Sequence, residues 1–159
     1  MMIKLTLDNL YTHLKKSYDA KLQDENKQIH IMLKVGEQEV PLFVGVLHEA
    51  LVQMIAYLPY EMKEGSAGDV ARFLHHLNKE LDMPGFGMDE KAGLLFYRLV
   101  IPCLKPEVDG ELVDAHLKTL ERALQSVLEG IAAVTDPKSQ VGKAAKVAQM
   151  AQKIQPKKV

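Results

Sequence analysis

Three stretches of this chain carry apolar side chains on both faces of an extended strand. Val40, Leu42, Val44 and Val46 alternate with Pro41, Phe43, Gly45 and Leu47. Leu51, Ile55 and Tyr57 lie opposite Val52, Met54 and Leu58 along the next stretch, and Leu95, Tyr97, Leu99 and Ile101 lie opposite Leu94, Phe96, Arg98 and Val100. An antiparallel sheet with one wet face alternates apolar with polar residues. A sheet built from these segments needs cover on both sides, or it leaves an apolar surface of the kind that partners occupy. Burying one large aliphatic side chain is worth about 1.5–3 kcal/mol, so several left in water are a strong drive to associate.

The remaining segments fix an order around those strands. Leu7, Leu10, Tyr11, Leu14 and Tyr18 recur at helical spacing, and Gln23-Asp24-Glu25-Asn26 breaks the pattern. Ile29, Ile31, Leu33 and Val35 then alternate with His30, Met32 and Lys34, and Gly36-Glu37-Gln38 makes a hairpin link to the strand 40–47. Pro41 gives up a ladder donor, which suits an edge strand or a strand start. His48-Glu49 turns the chain, and Pro59 ends the strand 50–58. Ser66 is placed to cap a helix whose stripe is Val70, Phe73, Leu74, Leu77 and Leu81, stopped by Pro84-Gly85. A short strand over 86–88, a turn over 89–93 and the strand 94–101 follow, closed by Pro102. A long helix carries Val113, Leu117, Leu120, Leu124, Val127, Leu128 and Ile131, with Asp109 or Gly110 as its cap and Asp136-Pro137 as its end. The order α-β-β-β-α-β-β-α, with hairpin-length links, predicts an α+β domain with an antiparallel sheet.

Charge divides the chain in two. Residues 1–136 hold fourteen Lys/Arg against twenty-one Asp/Glu, a net −7, whereas residues 137–159 hold six lysines and no acid. One domain over 1–136 and a basic Ala/Lys-rich tail over 137–159, a weak helix or a disordered end, is the expected organisation. An acidic body opposes phosphate, Trp is absent and aromatics are only 6%, so neither duplex binding nor base stacking is supplied. No apolar run reaches the roughly 18 residues of a spanning helix, and the tail is too weakly amphipathic to insert in a membrane. The N-terminus lacks a signal pattern, so the expected location is the cytoplasm. A single cysteine, Cys103, gives no intramolecular disulfide framework.

The residues offer little chemistry. Gly85-x-Gly87 is too short for a nucleotide loop, and Gly65-Ser66-Ala67-Gly68 is not a nucleophile elbow. His76 and Glu80 are helical neighbours without a third ligand, and His13, His30, His48 and His116 read as surface residues. Cys103, beside Pro102 at a strand end, reads as an inert thiol. The expectation is a protein that is not an enzyme and uses no cofactor and no metal.

Phe73-Leu74-x-x-Leu77-Asn78, then Phe86-Gly87-Met88-Asp89, then Gly93 to Pro102 (GLLFYRLVIP), then a long helix, together resemble the YbjN-like domain. That family is similar in fold to type III secretion chaperones, whose element order residues 5–134 follow. The resemblance implies a small acidic homodimer that binds an extended segment of another protein and carries no catalytic residues. Its clients would be secreted effectors or membrane proteins, held soluble and competent for secretion. The alternative is a YbjN-type regulator acting through one stable partner in stress or motility control. Candidate contact residues are Met32, Phe43, Leu47, Met54, Ile55 and Tyr57.

Overall fold

A computed structural model describes residues 1–135 of the chain, with side chains to Ile131. The elements are β1 (Met2–Lys4), α1 (Leu7–Leu14), β2 (Ala20–Gln23), β3 (Gln28–Val35), β4 (Gln38–Leu47), β5 (Leu51–Glu61), α2 (Ala67–Glu80), β6 (Phe86–Asp89), β7 (Leu94–Pro102), β8 (Glu107–Asp109) and α3 (Gly110–Thr135). The class is α+β, as the alternation and stripes predict. The order expected from sequence is present, with β1, β2 and β8 added to it. Six strands form one sheet in the order β2-β3-β4-β5-β7-β6, and β1 pairs with β8 in a two-stranded ribbon. The tail 137–159 lies outside the described residues.

The first helix is shorter than its stripe suggests. It ends at Leu14, and Tyr18 falls in the turn before β2 rather than on the helix. Thr6 caps it, accepting the Asn9 N–H on its side-chain oxygen. Ser66 precedes α2 but makes no such cap; its hydroxyl donates instead to the Lys63 carbonyl oxygen, and the residue is buried. Asp109 caps α3 by accepting the Glu111 N–H, a contact that holds its carboxyl below the usual range, helped by the ammonium of Met1.

The hairpins set the register. Val35 pairs with Gln38 across the turn at Gly36, whose positive φ of 62° suits glycine. Leu47 pairs with Leu51, and the turn between them places His48 and Glu49 at φ 54° and 56°. Pro41 stands in β4, which lies between β3 and β5, not at an edge. An interior antiparallel strand presents successive N–H groups to opposite neighbours, so one proline costs a donor toward only one of them.

Two compact units divide the chain, one of residues 1–56 with 98–121, the other of residues 57–97 with 122 and the described residues after it. In the first, Ile29, Ile31, Leu33, Leu42, Val44, Val52 and Met54 form one sheet face. That face is buried with Leu10 and Leu14 of α1 and Val113, Leu117 and Leu120 of α3. His13 belongs to this unit's interior edge and not to its surface: its Nε2 lies 2.8 Å from Asp114 Oδ1, which ties α1 to α3. Gly110 makes room for that ring, since a Cβ there would meet His13 Cε1 at 2.7 Å.

In the second unit Leu58, Phe86, Leu95 and Tyr97 are buried with Val70, Phe73, Leu74 and Leu77 of α2 and Leu124, Val127 and Ile131 of α3. Phe86 and Tyr97 are cross-strand partners whose ring centroids lie 4.6 Å apart. Tyr97 is fully buried and donates its hydroxyl to the Met83 carbonyl oxygen at 2.6 Å, and burial pushes its phenol up to about 12.

Candidate partner-binding face

Strand alternation leaves a second row on each strand, opposite the buried one. In the first unit that row is half-buried or exposed from β3 to β7. His30 pairs with Phe43, and Phe43 pairs with Ile55, so three neighbouring strands present one continuous line of side chains. The His30 and Phe43 rings lie 5.1 Å apart. Met32, opposite Pro41, is 43% exposed, and Val100 of β7 is 38% exposed. Leu47 and Leu51 extend the apolar surface to the end of the β4–β5 hairpin. Met32, Phe43, Leu47, Leu51, Ile55 and Val100 thus reach this face without full cover, a feature of interaction surfaces.

The second unit has its own open row. Tyr57 of β5 stands edge-on to Phe96 of β7, ring centroids 6.5 Å apart at 66°. Phe96 reaches across the strand pair to lie over Gly87, where a Cβ would meet its Cζ at 2.6 Å. Leu94 on the same row is 39% exposed.

Five of the six candidate contact residues therefore lie on open rows: Met32, Phe43, Leu47 and Ile55 in the first unit and Tyr57 in the second. Met54 does not. It is completely buried on the opposite face, as the cross-strand partner of the buried Val44 of β4. Adjacent residues of one strand point to opposite sides, so Met54 cannot share a surface with Ile55. The same alternation would have selected Phe96 and Val100, which the sequence reading left out of its candidates.

Ionisable chemistry is sparse. Among the described residues no three His, Cys, Asp or Glu side chains converge to hold a metal ion. Cys103 is half-buried, its thiol pushed up by burial, and its Sγ lies 3.6 Å from the Ile101 carbonyl oxygen. Tyr18 is pushed up to about 12, first by burial and then by the Glu121 carboxylate to which it hydrogen-bonds. Tyr18 thus meets α3, and Cys103 follows the end of β7. None of the described helices is long and apolar enough to cross a membrane.

Comparison with known proteins bears on the fold and its lineage. Residues 6–133 match the model of the YbjN family, described as "Putative bacterial sensory transduction regulator". Among solved structures the chain is similar to the crystal structure of YbjN from E. coli, titled "a putative transcription regulator". The TM-score is 0.64 at 14% identity, over 83% of this chain and 95% of that one. At so low an identity the likeness is one of fold. No curated protein matches the sequence at a significant level. The residues that carry the resemblance meet in space: Asn78 of α2 hydrogen-bonds to Gly85 and Phe86, and Phe86 stacks against Tyr97. On a family match that spans most of its length, the chain belongs to the YbjN family.

Proposed function

We propose that this chain is a binding module without catalytic activity, a regulator that acts by seating an extended segment of a partner protein on its open sheet face. The observation that carries the reading is the half-exposed line His30, Phe43 and Ile55 with Met32 and Val100 beside it. Within the first unit, side chains of α1 and α3 are buried with one face of the sheet, and the opposite row is half-buried or exposed. The family's description as a sensory transduction regulator agrees with action through a partner.

A second reading uses the same face. A secretion-chaperone-like protein would hold many clients there, and the flexible Met32 thioether suits a surface that accepts varied side chains. The two readings separate by the number and kind of partners. A photo-crosslinking residue placed at Ile55 in the native cell should yield one recurrent resident partner for the regulator. Several secreted proteins would instead favour the chaperone. In either case Phe43→Asp should abolish the adducts. If they form equally well with Phe43→Asp, or do not form at all, the face is not a binding site.

A further inference from the structure

The partner's chemistry can be read from the charges around the apolar line. Residues 1–136 carry a net −7, yet the open face of the first unit does not share that sign. Its strand residues include three cations: Lys21 on β2, Lys34 on β3 and Arg98 on β7, all exposed. Lys21 is the cross-strand neighbour of His30, and Arg98 lies between Phe96 and Val100 in the alternation of β7. The strand residues of this face hold one carboxylate, Glu39, which stands opposite Lys34 at the hairpin end of the ladder. The open face is thus a cationic, apolar area on an otherwise acidic unit.

Resting on the reading above, we propose that the segment seated on this face is extended and acidic as well as apolar, its carboxylates sharing with aliphatic or aromatic side chains the one row that it turns toward the sheet. Such a segment sets apolar side chains of that row against Met32, Phe43 and Ile55 and carboxylates of the same row against Lys21, Lys34 and Arg98. The same charges disfavour two other occupants. A second copy joined face to face by a two-fold axis would bring cation toward cation, because a two-fold interface presents the same patch on both sides. The chain's own residues 137–159, with six lysines and no acid, carry the wrong sign.

The test uses the full chain and two synthetic peptides of about twelve residues with the same valine and phenylalanine positions, a length that spans several strands at about 3.3 Å per residue. One has glutamate at the remaining positions of the row that faces the sheet, the other lysine. Fluorescence anisotropy should show the glutamate peptide binding about tenfold more tightly at low salt, with the gap narrowing as salt rises. Lys34→Glu with Arg98→Glu should invert the preference, and circular dichroism should show the fold unchanged because both side chains are exposed. Equal binding of the two peptides, lost in Ile55→Asp, would overturn the acidic segment while leaving the binding face standing. Binding of neither peptide, or binding that survives Ile55→Asp, would overturn both. A dimer by light scattering that Ile55→Asp dissociates would replace the acidic segment with a second copy.

Discussion

Asn78 encloses the backbone of Phe86. Its side-chain oxygen accepts the Phe86 N–H at 2.9 Å and the Gly85 N–H at 3.1 Å, while its amide donates to the Phe86 carbonyl oxygen at 2.8 Å. One side chain on α2 therefore replaces a strand partner at the start of β6, where the chain arrives from Pro84-Gly85. Asn78→Ala leaves those backbone groups without partners in a half-buried place, and each orphaned group costs about 1–3 kcal/mol. Urea unfolding should show a loss of about 2–4 kcal/mol with the slope unchanged. Asn78→Asp keeps the acceptor and loses the donor, so it should fall between the two. A loss below about 0.5 kcal/mol for Asn78→Ala would mean that water replaces these contacts without penalty.

Gly87 and Phe96 form the second local dependency. The ring lies where a Cβ on residue 87 would go, with Phe96 Cζ at 2.6 Å and Cε2 at 2.8 Å from that position. Gly87→Ala forces the ring aside and away from Tyr57, for a cost of about 1–3 kcal/mol. Phe96→Ala removes the obstacle, so Gly87→Ala should be nearly neutral in that background. A double-mutant cycle by chemical denaturation checks the coupling, which should reach about 1 kcal/mol or more. Additive losses would place the cost in the backbone instead.

Tyr97 makes stability sensitive to base. In the unfolded chain the phenol titrates near its ordinary 10.0, whereas the folded protein holds the proton to about 12 because the ring is buried. A raised folded pKa means the stabilisation is complete below pH 10 and is lost as pH rises toward 12. The loss amounts to about 3 kcal/mol, since Tyr97 is fully buried. Tyr18, half-buried against Glu121, adds to the same alkaline decline. Tyr97→Phe should cost about 1–2 kcal/mol at neutral pH, by orphaning the Met83 carbonyl, and should flatten the fall between pH 10 and 12. Thermal melts across that range measure both effects. An unchanged alkaline slope would assign the sensitivity to other groups.

The long strands and helix faces were legible because their periods are long enough to count. Eight residues over Gln28–Val35 and nine over Leu94–Pro102 give four or more alternations, and α2 and α3 show stripes over several turns. The three-residue strands Met2–Lys4 and Glu107–Asp109 have no period to read, and they exist because each is the other's partner across the chain. The strand Ala20–Gln23 was hidden by Tyr18, whose spacing continues the α1 stripe although its ring serves the contact with Glu121. His13 read as a surface residue because the tie to Asp114 is long-range and leaves no mark near position 13. The open face was legible as a surplus of apolar residues, but which row faces the helices depends on the register of all strands together. Residue type alone groups Met54 with Ile55 and Tyr57, whereas parity within one strand separates it from them.

That parity gives the sharpest check of the binding face, because neighbouring residues in one strand should respond oppositely to the same change. Met54→Thr puts a hydroxyl into a fully buried site and opens a void, at a cost of about 3–5 kcal/mol. Ile55→Thr on the open row keeps the β-branched shape and leaves the hydroxyl within reach of water, at a cost of about 1 kcal/mol or less. Partner or peptide binding should behave the other way, weakened several-fold by Ile55→Thr and unchanged by Met54→Thr when measured well below its melting temperature. Equal destabilisation by the two substitutions would mean that both sides of β5 are shielded in solution, and the open face would then be the site of a stable assembly already formed by the protein itself.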